Sequence, residues 1–447
     1  MSEEQVWHRA RLIPTSGING AEEQERRATS ALLAVVSSVK EFGRTLTRRV
    51  GAPAGTVETY VEVPFDTNGH KAIPDGLIRV TRGKRSWTAL VEVKTGTNEL
   101  QARQLETYLD IAKAEGFDAL VTISNEILGA AGEHPTSVDR RKLRRVALRH
   151  LSWTQILCDA VMEKTHRGVA DPDQAWILGE LIRYLEHPRS GALEFDDMGP
   201  HWVETRKAAR AGTLRVSDPG PSAVTARFDQ FLRFTGLRLG RELGTNVQLA
   251  LSRAEARDPS VRGQALLADL VENGRLTGAL RIPDAIGPIS VCADLRAAQV
   301  STSVEVAAPQ QGRNPTRVRW LLRQLGDAPD DLRIDAYARH SRSSMSALLR
   351  EVRDDSDLLI EDRARERRRY VLHLTEPMGI KRGDGRGSFI ASTIDLVDRF
   401  YTQVVQGIRP WTPPAPRMRT PDPAETDTSA MSSQDDSVDI TAARPND

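Results

Sequence analysis

The first third of the chain alternates between the helical and the strand period of apolar residues. From 21 to about 48, apolar residues fall on one helical face and predict an amphipathic helix. Glycine and proline at 51–55 end this pattern. Strands are then predicted at 56–65, 72–80 and 86–94. The third has a long enough apolar run to be a central strand that is buried on both faces.

A second helix and a fourth strand follow. Asn98 is the predicted N-cap of a helix that runs from about Glu99 to Glu115. The apolar segment 117–124 is the next predicted strand, and a helical connection implies that it lies parallel to the strand before it. The order helix, three strands, helix, strand indicates a compact α/β layer fold.

These patterns divide the chain into five segments. They are an N-terminal extension (1–20), an α/β domain (21–165), a helical connecting region (166–245), an α+β C-terminal domain (246–410) and a disordered tail (411–447). The α/β domain is predicted to end with a helix at 137–145, a fifth strand at 145–153 and another helix to about Lys164. The C-terminal domain repeats the element order of the first. It is therefore either an unrelated fold or a second, degenerate copy of the same core.

Composition excludes several classes of protein. Apolar residues make up 39% and charged residues 28% of the 447 residues, which is typical of a globular protein with two or three domains. No apolar run is long enough to span a bilayer, and the N-terminus lacks the layout of a signal peptide. Cys158 and Cys292 are too far apart in sequence for a thiolate zinc site. We therefore expect a cytoplasmic protein that does not contact membranes.

Three ionisable residues occur at the ends of two predicted strands. Asp75 lies near the start of one strand, and Glu92 and Lys94 share a face at the end of the next. If these strands pair as an antiparallel hairpin, Asp75 lies beside the other two. Burying such groups at the edge of an apolar sheet is costly unless something neutralises them.

Two carboxylates are a natural ligand pair for a hard divalent cation such as Mg²⁺ or Mn²⁺. Asp75 and Glu92 are the predicted ligands, and the backbone carbonyl of Val93 is within reach to complete the set. Lys94 is predicted to orient a water or to stabilise charge that develops on phosphorus.

Pro74-Asp75, followed after sixteen residues by Glu92-Val93-Lys94, resembles the signature of the PD-(D/E)XK nucleases. The order helix, three strands, helix, strand is also the restriction-endonuclease-like αβββαβ core of that superfamily. The resemblance covers about residues 20–165.

Two further features resemble the RecB-like branch of that superfamily. Gln104 and Tyr108 lie four residues apart on one helical face and resemble its QxxxY motif, which implies that they help to hold substrate. The family often has another acidic group on the first helix, which assists a metal. Glu25 continues the apolar stripe of that helix and is the best match, and Glu22 is the second choice.

The resemblance implies a nuclease that uses Mg²⁺ or Mn²⁺ and hydrolyses phosphodiester bonds in DNA, with RNA as the alternative substrate. Defence against foreign DNA and DNA repair are the expected roles. The C-terminal domain would supply recognition, homo-oligomer contacts or a surface for a protein partner. The alternative is an inactive adaptor that binds nucleic acid or a protein. The intact Asp75, Glu92 and Lys94 set favours the nuclease, because an adaptor has no need to keep it.

Other charged groups carry weaker signals. The net charge of +1 gives no argument for nucleic-acid binding, so only local patches count. Arg141, Arg144 and Arg145 are predicted either to contact phosphates or to form a solvated helical face. The candidates for a second site in the C-terminal domain are Asp294, Asp335 and His340.

Overall fold

The computed structural model describes residues 12–13, 20–67, 70–128, 134–360, 365–413 and 415. The protein is mixed α/β, with one mixed and one antiparallel large sheet. One compact unit ends at Trp411, and the segment from Thr412 is described only at three positions, which have no regular secondary structure. Most of the predicted N-terminal extension and disordered tail therefore lies outside the described residues.

The first sheet has five strands in the order β1-β4-β5-β6-β7, and a separate two-stranded hairpin joins β2 to β3. The strands are β1 (Thr56–Val61), β2 (Phe65–Thr67), β3 (His70–Ala72), β4 (Gly76–Arg82), β5 (Arg85–Val93), β6 (Ala119–Ser124) and β7 (Ala147–Ser152). The helices around them are α1 (Ala21–Ser38), α2 (Lys40–Arg49), α3 (Ala102–Ala114), α4 (Trp153–Val161) and α5 (Pro172–Leu185). The pairing of β5 with β6 is parallel, which confirms the predicted helical crossover.

The single helix predicted at 21–48 is broken at Val39, whose backbone is extended. The reason is a close approach between the two helices: a Cβ on Gly43 would lie 2.1 Å from the carbonyl oxygen of Val36. Glycine is thus required at this corner. The break lets α1 pack along β1, where Thr59 Oγ1 donates to the carbonyl of Leu33 at 2.8 Å. The C-terminal half of α1 is thereby held against the sheet.

The helix predicted at 137–145 is only a 3₁₀ turn, at Lys142–Arg144. Side-chain hydrogen bonds, one local and one to a distant loop, occur here in place of helical ones. Asp139 Oδ1 accepts from the N–H of Arg141 at 2.9 Å, and Thr136 Oγ1 donates to the carbonyl of Leu100 at 3.2 Å. Such bonds compete with a helix in short polar segments.

A helical region separates the two large sheets, and it contains α6 (Trp202–Ala211) and α7 (Pro219–Leu243). The second sheet has the order β13-β12-β14-β11-β10-β9-β8. Its strands are β8 (Gln248–Leu249), β9 (Arg275–Arg281), β10 (Ile289–Asp294), β11 (Gln299–Ala307), β12 (Arg333–Ala338), β13 (Ser344–Leu348) and β14 (Arg367–Pro377). Its helices are α8 (Arg253–Arg257), α9 (Pro259–Asn273), α10 (Asn314–Gln324), α11 (Leu349–Asp354) and α12 (Phe389–Phe400).

The C-terminal sheet does not repeat the first core. In a second copy, the strand after the crossover helix α10 would pair in parallel with β11. Instead β14 lies between β11 and β12 and pairs antiparallel with both. The hypothesis of a degenerate repeat is therefore wrong, because the shared element order conceals a different strand order.

Apolar packing covers both faces of the first sheet. A row of buried leucines lies under α3, on three neighbouring strands and on the helix itself, among them Leu77, Leu90, Leu105 and Leu120. Towards the carboxyl ends of β5 and β6 this apolar row gives way to polar side chains. Within the described ranges, every helix is too short or too polar to cross a membrane.

Candidate functional site

The polar side chains of this region meet at the ends of β4 and β5. In the antiparallel pair of β4 and β5, Gly76 faces Val91. Asp75, which directly precedes β4, therefore lies opposite Glu92 near the end of β5. Asp75 Oδ2 accepts a hydrogen bond of 2.7 Å from the N–H of Val93. The register of the hairpin thus brings Asp75 to Glu92, as the strand pattern predicts.

Glu92 is the most deeply buried acid of this cluster, with 1% of its surface exposed. Burial and the neighbouring carboxylate of Asp75 raise the pKa of Glu92 to about 8, against the opposing effect of Lys94. Burial also raises the pKa of Asp75, although the N–H of Val93 and the ammonium of Lys94 act in the opposite direction. At neutral pH this pair of carboxylates therefore favours a bound proton or a bound cation.

Lys94 joins the two elements that carry the cluster. Its Nζ lies 2.7 Å from Glu92 Oε1 and 2.9 Å from Glu25 Oε1 on α1. Burial alone would lower the pKa of Lys94, but the two carboxylates outweigh it and raise it, so the ammonium stays charged. Asn98 Nδ2 donates to the other oxygen of Glu25 at 3.4 Å. The second-choice acid, Glu22, is exposed and pairs with Arg26 instead.

The donor set fits a hard divalent cation at Asp75 and Glu92. Both oxygens of Glu92 are buried; Oε1 has the ion pair with Lys94, whereas Oε2 accepts no hydrogen bond of normal geometry from the described residues. Such oxygens are costly without a partner. No three acidic, histidine or cysteine side chains in the described part of the chain are grouped as metal ligands, and at this site Glu25 is paired with Lys94. Two carboxylates are nevertheless enough for Mg²⁺, which usually keeps several waters.

Gln104 and Tyr108 lie on the face of α3 that is directed at this cluster. Gln104 Nε2 donates to Tyr108 Oη, and Tyr108 Oη donates to the carbonyl of Ile73, each at 3.2 Å. Burial and the charge of Glu92 raise the pKa of Tyr108 to about 12, so its hydroxyl remains a donor. Because Ile73 is only two residues from Asp75, the pair positions the segment that carries this carboxylate.

The predicted phosphate contacts lie elsewhere. Arg141, Arg144 and Arg145 are exposed, and in the described structure none of them bonds to the carboxylate cluster. Their turn packs on the opposite face of α3, where Lys142 Nζ lies 2.6 Å from Asp110 Oδ2. The structure therefore does not bring these arginines to the cluster.

Residues outside the predicted set also support the site. Trp153 Nε1 donates to the carbonyl of Lys94 at 2.9 Å and is almost fully buried. Its only sequence signal is its position directly after β7, at the same sheet edge as Lys94. Thr122 on β6 faces Glu92 in the strand register, and its hydroxyl contacts two histidines, His150 at 2.9 Å and His134 at 2.8 Å.

The residues considered for a second site do not meet. Asp294 pairs with Arg275, and His340 has a contact with Arg339. Asp335 instead lies 3.0 Å from His373 Nε2. The contacts of Asp294 and Asp335 join neighbouring strands, the contact of His340 is to its sequence neighbour, and the three candidates have no partner in common.

We expect Tyr108→Phe to slow any metal-dependent cleavage about three- to tenfold and to lower the free energy of unfolding by about 1–2 kcal/mol, because the two hydrogen bonds of the Tyr108 hydroxyl are lost. Steady-state kinetics separates two roles for Tyr108. A positioning role lowers kcat, whereas a substrate-holding role raises KM. Tyr60→Phe is the matched control, because Tyr60 is 43% exposed. Unchanged kinetics and stability in Tyr108→Phe would refute both roles.

Comparison with known proteins gives no relative for this chain. No family model matches it, and neither a curated protein nor a solved structure does. The geometry of its side chains is therefore the basis for any statement about its function.

Proposed function

We propose that this protein is a metal-dependent nuclease that hydrolyses phosphodiester bonds in DNA, with residues 21–165 as a nuclease domain of the PD-(D/E)XK type. The observation that carries the proposal is the meeting of Asp75, Glu92 and Lys94 at paired strand ends of an otherwise apolar sheet. Two adjacent buried carboxylates destabilise each other when both are charged. Their retention is best explained by a ligand that needs them.

The proposed ligands of Mg²⁺ or Mn²⁺ are Asp75, Glu92 and the carbonyl of Val93. When bound, a divalent ion polarises the scissile phosphate and lowers the pKa of a coordinated water. Lys94 presents a permanently charged ammonium beside Glu92, where it orients the attacking water and stabilises charge on the phosphate oxygens. Glu25 contributes by holding that ammonium from the side of α1. This differs from the ligand role that its position on the first helix implies.

The strand arrangement supports the proposed restriction-endonuclease-like core. Three antiparallel strands are followed by a helix and a strand parallel to β5, and the cluster lies on the strand ends that this core uses. DNA is the proposed substrate and RNA the alternative, in the cytoplasm, in defence or repair. The region after 245 then provides recognition, a surface for a protein partner or contacts between copies of the chain.

One observation favours a second function. Lys94 bridges Glu92 and Glu25 and so neutralises part of the cluster without a cation. A closed ion pair of this kind suits an inactive nuclease-like adaptor, which binds nucleic acid or a protein partner but does not cleave.

The test is cleavage of supercoiled plasmid, linear duplex, single-stranded DNA and RNA with Mg²⁺ or Mn²⁺, against the same reactions with EDTA. We expect cleavage of DNA that depends on the divalent ion. Binding of Mg²⁺ is measured separately by calorimetry on wild type and Asp75→Asn, and only the wild type should give a signal. Nucleic-acid binding without cleavage under any of these conditions would leave the adaptor as the better interpretation.

A further inference from the structure

A groove separates the β7 edge of the first sheet from α7 and β8. It consists of three cavities of about 340, 660 and 450 Å³. The first two share Arg49, Gln155 and Asn246 among their lining residues, and the last two share Ile127 and Leu251. These shared walls make it one continuous groove. None of the carboxylate cluster lines its described surface.

Positive charge dominates the described lining of this groove. It contains three carboxylates and six arginines, which are Arg48, Arg49, Arg149, Arg167, Arg233 and Arg262. Asp159 accepts through both carboxylate oxygens from Nε and Nη2 of Arg49, Asp229 binds Arg262, and Glu163 pairs with Arg167. The side chains of Arg48 and Arg149 are exposed and have no ion pair within the described structure. The groove therefore has an excess of positive charge that suits an anionic ligand.

The groove walls also offer many hydrogen-bonding groups. The lining includes 148–152 of β7 and 246–249 around β8, and these are the last strands of their sheets. Such edges have unpaired backbone N–H and C=O groups. Side-chain amides of Gln155, Asn246 and Gln248 add donors and acceptors. A polar chain lying along the groove is thus met by polar groups from both sides.

The groove passes close to the candidate site. Glu92 faces Thr122 in the strand register, Thr122 faces His150, and His150 is one of the residues that line the 660 Å³ cavity. Two strand spacings separate Glu92 from His150, which is about 10 Å. A polymer held in the groove is therefore within a few monomers of the carboxylate cluster.

We propose that this groove binds the sugar-phosphate backbone of single-stranded nucleic acid. Each cavity has the size that holds one small molecule, so the groove takes a few nucleotides of one strand rather than a duplex. The choice of nucleic acid as the ligand rests on the proposed function, but the binding requires neither the metal nor cleavage. The contacts are to phosphates, so the groove binds strands of any sequence.

The test is fluorescence anisotropy of labelled oligothymidylate with full-length protein in EDTA, where no metal-dependent cleavage occurs. Arg149→Glu and Arg48→Glu should each raise Kd about tenfold and should make the dependence of Kd on salt less steep. Arg350→Glu is the matched control, because Arg350 is an exposed arginine on α11 with no side-chain ion pair in the described structure. Equal weakening in Arg350→Glu would overturn the proposal, since only net charge would then matter.

Further measurements distinguish this proposal from the nuclease proposal. Asp75→Asn should keep the Kd of wild type for the strand even where it abolishes cleavage. If the wild-type protein cleaves DNA but does not bind the oligonucleotide in EDTA, the proposal for the groove is refuted and the nuclease proposal is unaffected. Displacement of the oligonucleotide by polyglutamate at equal charge concentration would show that the groove takes acidic peptides and would also refute the proposal. Circular dichroism confirms that each variant is folded.

Discussion

Lys94→Ala is expected to lower the rate of divalent-ion-dependent DNA cleavage by about 10²- to 10³-fold, and Asp75→Asn by at least as much. Lys94→Ala removes the ammonium that lies 2.7 Å from Glu92, and Asp75→Asn removes one of the two proposed anionic ligands. The rates are measured on the preferred substrate at saturating Mg²⁺. Because the groups act on one reacting phosphate, the double variant should be little slower than the slower single variant.

Two controls make this result specific. Lys84→Ala removes an exposed lysine from the turn between β4 and β5 and should leave the rate unchanged. Circular dichroism and thermal unfolding show whether each variant keeps its fold. Cleavage at the wild-type rate in folded Lys94→Ala and folded Asp75→Asn would mean that the reaction occurs elsewhere in the protein.

Glu92→Gln should become more stable relative to wild type as pH rises in metal-free buffer. The pKa of Glu92 in the folded protein is about 8, above its usual value of 4.5. The stability that protonated Glu92 contributes is therefore fully present below about 4.5 and is lost as pH rises through about 8. Glutamine stays neutral throughout. Between pH 6 and pH 9 the difference in unfolding free energy should shift in favour of Glu92→Gln by about 1–3 kcal/mol, after allowing for the lost pair with Lys94.

Urea unfolding at several pH values measures this shift. Adding Mg²⁺ at pH 9 should stabilise wild type and have little effect on Glu92→Gln, because the cation binds the charged carboxylate pair. Glu58→Gln, at an exposed position of β1, is the control and should track wild type. A constant difference between Glu92→Gln and wild type across this pH range would show that Glu92 is charged in the fold at pH 6.

Several features of the first sheet follow from local patterns that tertiary contacts did not override. Alternating and continuous apolar runs predict β4, β5 and β6, and the helix between β5 and β6 implies their parallel pairing. The break at Val39 depends on the close approach of Gly43 to Val36. The periodicity of apolar residues in the sequence does not indicate this approach. The strand order of the C-terminal sheet depends on the insertion of β14 between β11 and β12, a long-range pairing that element order does not reveal.

By itself, the sequence determines that Asp75, Glu92 and Lys94 lie at the ends of two adjacent strands, because the period of a strand and the turn of a hairpin are local properties. Only the tertiary structure decides what surrounds them. It pairs Glu25 of α1 with Lys94 and places the hydroxyl of Tyr108 where it donates to the carbonyl of Ile73. It also leaves Arg141, Arg144 and Arg145 outside the cluster. It also forms the arginine-lined groove from segments about a hundred residues apart, such as 148–152 and 246–249. Such contacts depend on how separate elements pack, and no spacing within one element encodes them.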